Sequence, residues 1–138
     1  MIVQLIDFLE RHKYLLYLAL SLLTIVTIAL TLLPPEHISN QPLFQYDKLG
    51  HALMFGSWTF LLGLIQLVSD RKPLPLFYIF MAGSLFGITI EILQEVLPVD
   101  RNMDPYDAIA DVSGCLAAII FLKIITSRLP TRAKKKEQ

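Results

Sequence analysis

One cysteine, Cys115, is the whole thiol complement of the chain. A single thiol excludes an internal disulfide and any Cys-based metal site. It lies within an apolar stretch, where a small packing residue is expected. Charge is also scarce. Asp, Glu, Lys and Arg make up 17% of the 138 residues, against about 25% in a typical soluble domain. Proline is missing from the interior of every long apolar stretch. Pro34, Pro35, Pro42, Pro73, Pro75, Pro98, Pro105 and Pro130 all fall between such stretches or at their margins. Interior proline removes a helical hydrogen bond, so its absence predicts unbroken helices. There is no Walker loop, no nucleophile elbow and no paired-His zinc motif. Ser57, Ser84 and Ser113 have no evident base beside them. No internal or inverted repeat signals an alternating-access transporter.

What the chain does have is hydrocarbon. Hydrophobic residues make up 54% and the mean hydropathy is +0.56. The length suits one domain, 1–138. Four apolar stretches of about the length a bilayer core requires run over 14–33, 51–68, 74–97 and 108–125. The first carries no formal charge, whereas the fourth contains Asp111 and Lys123. This pattern predicts an all-α integral membrane four-helix bundle. The first stretch has basic Arg11 and Lys13 ahead of it, but its apolar run is long and Leu33-Pro34-Pro35 is a poor cleavage site, so an uncleaved helix is expected. Ile2, Leu5, Ile6 and Leu9 recur at helical spacing. They predict a short helix in the interface or one continuing into the first span.

The ionisable residues are sorted. Glu36, Asp47, Glu91, Glu95, Asp100, Asp104, Asp107 and Asp111 lie on one side of the spans with only Lys48 and Arg101. On the other side, ten basic residues (Arg11, Lys13, Arg71, Lys72, Lys123, Arg128, Arg132 and Lys134 to Lys136) face four acids, Asp7, Glu10, Asp70 and Glu137. Zero net charge thus hides +6 on one side and −6 on the other. Basic residues favour the cytoplasmic side, so both termini are expected inside and the acids outside. The basic tail, 126–138, with its Lys134-Lys135-Lys136 run, suits anionic lipid or plain solvation. It gives no reason to expect nucleic acid.

Three polar clusters fall at the outer ends of spans two to four. Asp47, Lys48 and His51 form the first; Asp47 and His51, four apart, share a face, so the carboxylate can orient the imidazole. Glu91, Gln94 and Glu95 form the second. Arg101, Asp104, Asp107 and Asp111 form the third, the last three at spacings of 3 and 4. Small residues continue these faces: Ala52, Gly56, Thr59 and Gly63 in span two, Gly83 and Gly87 in span three, Gly114 and Ala118 in span four. Small residues at this spacing let helices approach closely in lipid. The pattern therefore predicts a polar pocket, open outward and closed below by tight packing, with residues 34–46 as a cap.

Asp47-Lys48-x-x-His51, Glu91-x-x-Gln94, Arg101, Asp104-x-x-Asp107 and Gly114 resemble the VanZ-like family of small membrane proteins. The resemblance covers about half of the chain. It implies a four-helix protein of the bacterial cell (inner) membrane. The name-giving member is associated with resistance to teicoplanin, a glycopeptide with a lipid tail. This chain carries Asp111 where the family usually has Asn, so an ionisable group replaces a neutral amide.

Three functions remain open at this level. In an enzyme, His51 oriented by Asp47 serves as acid or base, Glu91 as a second, and Arg101 grips a phosphate or carboxylate. Lys48, Gln94, Arg101, Asp104, Asp107 and Asp111 are the candidate ligand-binding residues. The partner is a membrane lipid, or a lipid-linked or lipophilic ligand. In a metal protein, Asp47, His51, Glu91, Asp104 and Asp107 supply an oxygen-rich set for a divalent cation. In a non-enzymatic scaffold or assembly factor, the polar groups hold the helices in register.

Overall fold

The computed structural model describes residues 2–32, 47–69, 75–98 and 102–128. They form five helices: α1 (Ile2–Arg11), α2 (Lys13–Leu32), α3 (Asp47–Ser69), α4 (Leu76–Val96) and α5 (Pro105–Ser127). The last four are each long and apolar enough to cross a membrane. Twenty residues at about 1.5 Å each match the roughly 30 Å hydrocarbon core. The chain is thus an all-α bundle of four candidate spans, as its apolar stretches predict, and this is the arrangement of a multi-pass membrane protein.

The expected span boundaries are displaced at the acidic end. α3 begins at Asp47 rather than at His51, and α5 at Pro105 rather than at Ala108. Apolar runs stop where charges begin, but the helices continue past that point. A capping signature starts α5: the Asp104 side chain accepts from the Tyr106 N–H at 2.8 Å, and Pro105 follows it. At the other end α1 and α2 separate at His12. The imidazole Nδ1 of His12 lies 3.0 Å from the Phe8 carbonyl. Ile6 and Leu9 of α1 pack on the cluster of Leu16, Ile65 and Val68.

Contacts across the bundle set the directions of the helices. His51 meets Asp111, Phe55 meets Cys115, and the Gly63 backbone faces Leu122, so α3 and α5 run parallel. Glu91 meets His51 and Gly83 faces Thr59, so α4 runs against them. Trp58 donates its indole N–H to Thr24 at 2.8 Å, while Leu16 packs on Ile65, so α2 also runs against α3. Trp58 is thus a packing residue between helices, its ring tilted against that of Phe86 with centroids 5.0 Å apart.

Glycine decides how near α3 and α5 come. A methyl group at Gly56 would lie 2.9 Å from the Gly114 carbonyl oxygen, and one at Gly114 would overlap the Ala52 carbonyl. Backbones this close gain dispersion contacts that larger residues would forbid, and packing replaces the hydrophobic drive that lipid cannot supply. Cys115 is fully buried in this seam and receives the Thr59 hydroxyl at 3.1 Å.

The interior is as polar as it is apolar. Among the described residues, buried Leu16, Phe55, Ile65, Val68, Ile79, Ile90, Cys115, Ala118 and Leu122 are matched by buried Thr27, Thr31, His51, Thr59, Ser84, Glu91, Gln94, Asp107 and Asp111. Large apolar side chains such as Ile25, Phe77, Tyr78, Ile92 and Phe121 instead face outward. A hydrocarbon surround permits that exposure. The buried ionisable groups sit together at one end.

Candidate functional site

Side chains from three helices build the site. His51 projects from α3, one turn after Asp47. Glu91 comes from the last turns of α4. Asp107 and Asp111 come from the first turns of α5, where spacing by four keeps them on one face. The small-residue stripes point inward as expected. A methyl at Gly87 would lie 2.8 Å from Asp111 Cβ and Oδ2, so glycine there makes room for the acid.

The imidazole occupies the centre and is 2% exposed. Its Nδ1 lies 2.9 Å from Asp111 Oδ1 and 3.7 Å from Glu91 Oε1. A proton on Nδ1 donates to the Asp111 carboxylate. The opposite nitrogen, Nε2, lies 3.9 Å from Asp107 Oδ2. Both edges of one ring therefore face carboxylates. Below it, Phe55 is stacked 6.1 Å from the ring, and Phe55, Ile90 and Cys115 form a dry floor.

Backbone and lysine contacts hold the acids in place. Glu91 Oε2 accepts the Asp104 N–H at 3.1 Å. One turn on, Glu95 accepts the Met103 N–H, also at 3.1 Å. Two carboxylates of α4 thereby latch the segment entering α5. Lys48 reaches Asp104 Oδ2 at 2.8 Å and Asp107 Oδ1 at 2.9 Å, and lies 5.8 Å from the Tyr106 ring centroid. The ammonium of Lys48 and the Tyr106 N–H hold the Asp104 carboxyl below its usual range. Two oxygens deep in the cluster, Glu91 Oε1 and Asp111 Oδ2, make no hydrogen bond, although both residues are fully buried.

Several expectations change. The hydrogen-bond partner of His51 is Asp111, not Asp47: the ring turns toward α5, across the bundle, while Asp47 stays exposed on its own helix. Even so, Asp47 keeps a carboxylate oxygen within 4.8 Å of ligand atoms of His51 and Asp107. Gln94 does not join the cluster. Its amide donates to the Thr31 carbonyl at 2.9 Å and ties α4 to α2. The polar groups His51, Glu91, Asp107 and Asp111 form a buried cluster, with the Lys48 bridges to Asp104 and Asp107 at its rim. An apolar groove of about 460 Å³ lies between α3 and α5, lined among others by Ala52, Leu53, Phe60, Ala117 and Phe121. Arg101 and the expected cap, 34–46, lie outside the described residues.

Sequence reasoning missed the backbone N–H groups of Met103 and Asp104 as partners of the α4 acids. The Asp104-Pro105 cap signature could have placed the start of α5 and brought them into view. No sequence signal marks Thr31 as the anchor of Gln94.

No family model, curated protein or solved structure matches the chain. What the arrangement can do follows from its chemistry. An imidazole between carboxylates can pass a proton, serve as acid or base, or bind a cation.

Proposed function

We propose that this chain is a small VanZ-like protein of the bacterial inner membrane. Both termini face the cytoplasm and the His51 end faces outward. It binds the polar headgroup of an envelope amphiphile there and acts on it through His51, Glu91 and Asp111. The lopsided distribution of basic residues supports the orientation. The observation that carries the reading is the pair of unpartnered, fully buried carboxylate oxygens beside one imidazole. A purely structural network gains most when every lone pair is satisfied, because an unmet buried acceptor costs about 1–3 kcal/mol. Groups left unmet at such a cost are the ones a ligand can use.

The groove between α3 and α5 supports an amphiphile in particular. Ala52 and Leu53, in its lining, follow His51 directly, and Phe60 and Phe121 lie further from the acidic end. A headgroup at the rim of Lys48, Asp104 and Asp107 would leave its chain beside this apolar strip. A membrane lipid, a lipid-linked cell-wall precursor or a lipid-tailed glycopeptide of the teicoplanin kind has that shape.

The test is lipid mass spectrometry on detergent-purified protein. A phosphate-bearing amphiphile is expected to co-purify with the wild type and to be depleted at least about tenfold in Asp111→Asn and Glu91→Gln. Equal lipid content in folded variants would refute the reading.

A second reading is a non-enzymatic scaffold or assembly factor with a structural polar network. The Lys48 bridges to Asp104 and Asp107, and the Gln94 bond to Thr31, favour it, because each joins two segments. It predicts that His51→Ala and Glu91→Gln unfold the protein rather than silence it.

A further inference from the structure

We propose that His51, Glu91 and Asp111 form a binding site for one divalent transition-metal cation, with Zn²⁺ and Mn²⁺ the best fit. The inference rests on the reading of these residues as a functional site and names the ion they hold.

Geometry comes first. One ligand atom from each of the three residues, all buried, lies within 4.8 Å of the other two. His51 Nδ1 is the nitrogen near both acids, 2.9 Å from Asp111 Oδ1 and 3.7 Å from Glu91 Oε1, and the three residues come from three different helices. Glu91 Oε1 and Asp111 Oδ2 are the two carboxylate oxygens without a hydrogen-bond partner, on side chains with no solvent exposure. Glu91 Oε2 is held by the Asp104 N–H, whereas Asp111 Oδ1 lies 2.9 Å from His51 Nδ1, a contact the cation replaces when Nδ1 gives up its proton and ligates. Glu91 is thus positioned by one oxygen and available through the other, and Asp111 offers its unmet Oδ2 from a side chain packed against Gly87.

Charge gives the second argument. Lys48 compensates Asp107 and Asp104 at the rim. Glu91 and Asp111, deeper and dry, share at most the single positive charge of His51. Two carboxylates in such surroundings are unfavourable without a counterion. A divalent cation supplies both charges from one point and takes up both unmet oxygens.

The surroundings approach those of a metal-bound histidine, with the second ring nitrogen 3.9 Å from a carboxylate rather than hydrogen-bonded to it. A ligating imidazole commonly directs its other nitrogen at a carboxylate, which fixes the tautomer. Here Nε2 faces Asp107 Oδ2 at 3.9 Å, and Lys48 holds Asp107 from its far oxygen. One imidazole with two carboxylates suits Zn²⁺ or Mn²⁺. Ca²⁺ calls for six to eight oxygens and Mg²⁺ retains its waters, so both fit a dry mixed set less well.

The experiment uses the full chain in lipid-free detergent, dialysed against a chelator and titrated with MnCl₂ or ZnCl₂. Bound metal is counted by mass spectrometry. About one ion per chain is expected, with a rise in melting temperature. Pulsed paramagnetic resonance of the Mn²⁺ form is expected to show coupling to one imidazole nitrogen. His51→Gln should lose that coupling, and Glu91→Gln and Asp111→Asn should each weaken binding at least about tenfold. Glu95→Gln, on an exposed acid outside the triad, should bind as the wild type does. The proposal is overturned if the wild type takes up neither ion, if the bound Mn²⁺ shows no nitrogen coupling, or if the triad variants bind as well as Glu95→Gln. The coupling and the stoichiometry are read on the wild type, so they decide even if a variant fails to fold. Metal uptake without lipid capture would support the cation site and sink the headgroup reading. Lipid capture by a protein that takes up no metal would do the reverse.

Discussion

The two ends of the bundle are held together by opposite means. At the basic end, Leu16, Ile65 and Val68 pack with Ile6, Leu9, Leu20 and Leu61, and Leu122 fills the space opposite Gly63. At the acidic end, α3, α4 and α5 meet through His51, Glu91, Asp107 and Asp111. An apolar contact in lipid needs only shape. A buried carboxylate has to overcome its own desolvation, at about 3 kcal/mol on insertion scales. The fold could have used apolar packing at both ends. That it does so at one only, and leaves two carboxylate oxygens unmet at the other, sets the acidic end apart.

This contrast can be broken most severely at the seam serving both ends. Gly114→Leu would drive a side chain into the Ala52 carbonyl and force α3 and α5 apart. A loss of about 3 kcal/mol or more is expected, read as aggregation or a collapsed melting temperature in detergent. A melt unchanged from wild type would mean that the seam is not close-packed. Leu122→Ala is expected to cost about 2–4 kcal/mol through the cavity it leaves, since Leu122 is fully buried. Denaturant titration in mixed micelles measures it, and a neutral result would remove the claim that apolar packing holds the basic end.

Gly87→Ala links the two ends. Its methyl, 2.8 Å from Asp111 Cβ, must push that side chain or α4 aside, at about 1–3 kcal/mol. Its sharper effect is expected on ligand capture, because Asp111 moves relative to His51. A variant that melts lower yet binds normally would disconnect the helix spacing from the site. Glu91→Gln and Asp111→Asn carry the comparison furthest. Removing a buried, incompletely paired charge is expected to change stability by less than about 1 kcal/mol or to raise it. Melts showing a loss of several kcal/mol for both would favour the structural network.

The smallest effect belongs to the rim. The Lys48 ammonium, then the Tyr106 N–H, depress the Asp104 carboxyl below its ordinary value of 3.8. A depressed carboxyl contributes stability that is present above the ordinary value and lost as pH falls through the lowered one. The melting temperature should therefore drop as pH is taken below about 3.8, and Lys48→Met should flatten part of that slope. Both groups are substantially solvent-exposed, so the effect is expected to be slight and to shrink in high salt. A slope identical in wild type and Lys48→Met would remove the bridge from the rim.

Much of the architecture was legible in the chain itself. Proline at the margins and charge-free runs marked the four spans, and small residues spaced by four marked their inner faces. The helical period also placed His51, Glu91 and Asp111 on those faces, because periodicity is a property of one helix at a time. It says nothing about how far one helix is rotated against another. For that reason the partner of His51 was misread: Asp47 shares its helix, whereas Asp111 is 60 residues away and reaches the ring at 2.9 Å. Gln94 was misassigned for the same reason, since an inward face next to α2 looks the same from within α4 as one next to α3.

The sequence by itself determined the four long apolar helices, the sorting of charge toward their ends and which faces turn inward, because apolar length, charge placement and side-chain size act locally along the chain. Only the tertiary structure decided which acid meets the imidazole and which carboxylate oxygens of the cluster stay unmet. Those outcomes depend on ångström-scale separations between helices, set by contacts such as Gly56 on Gly114 and Gly87 on Asp111.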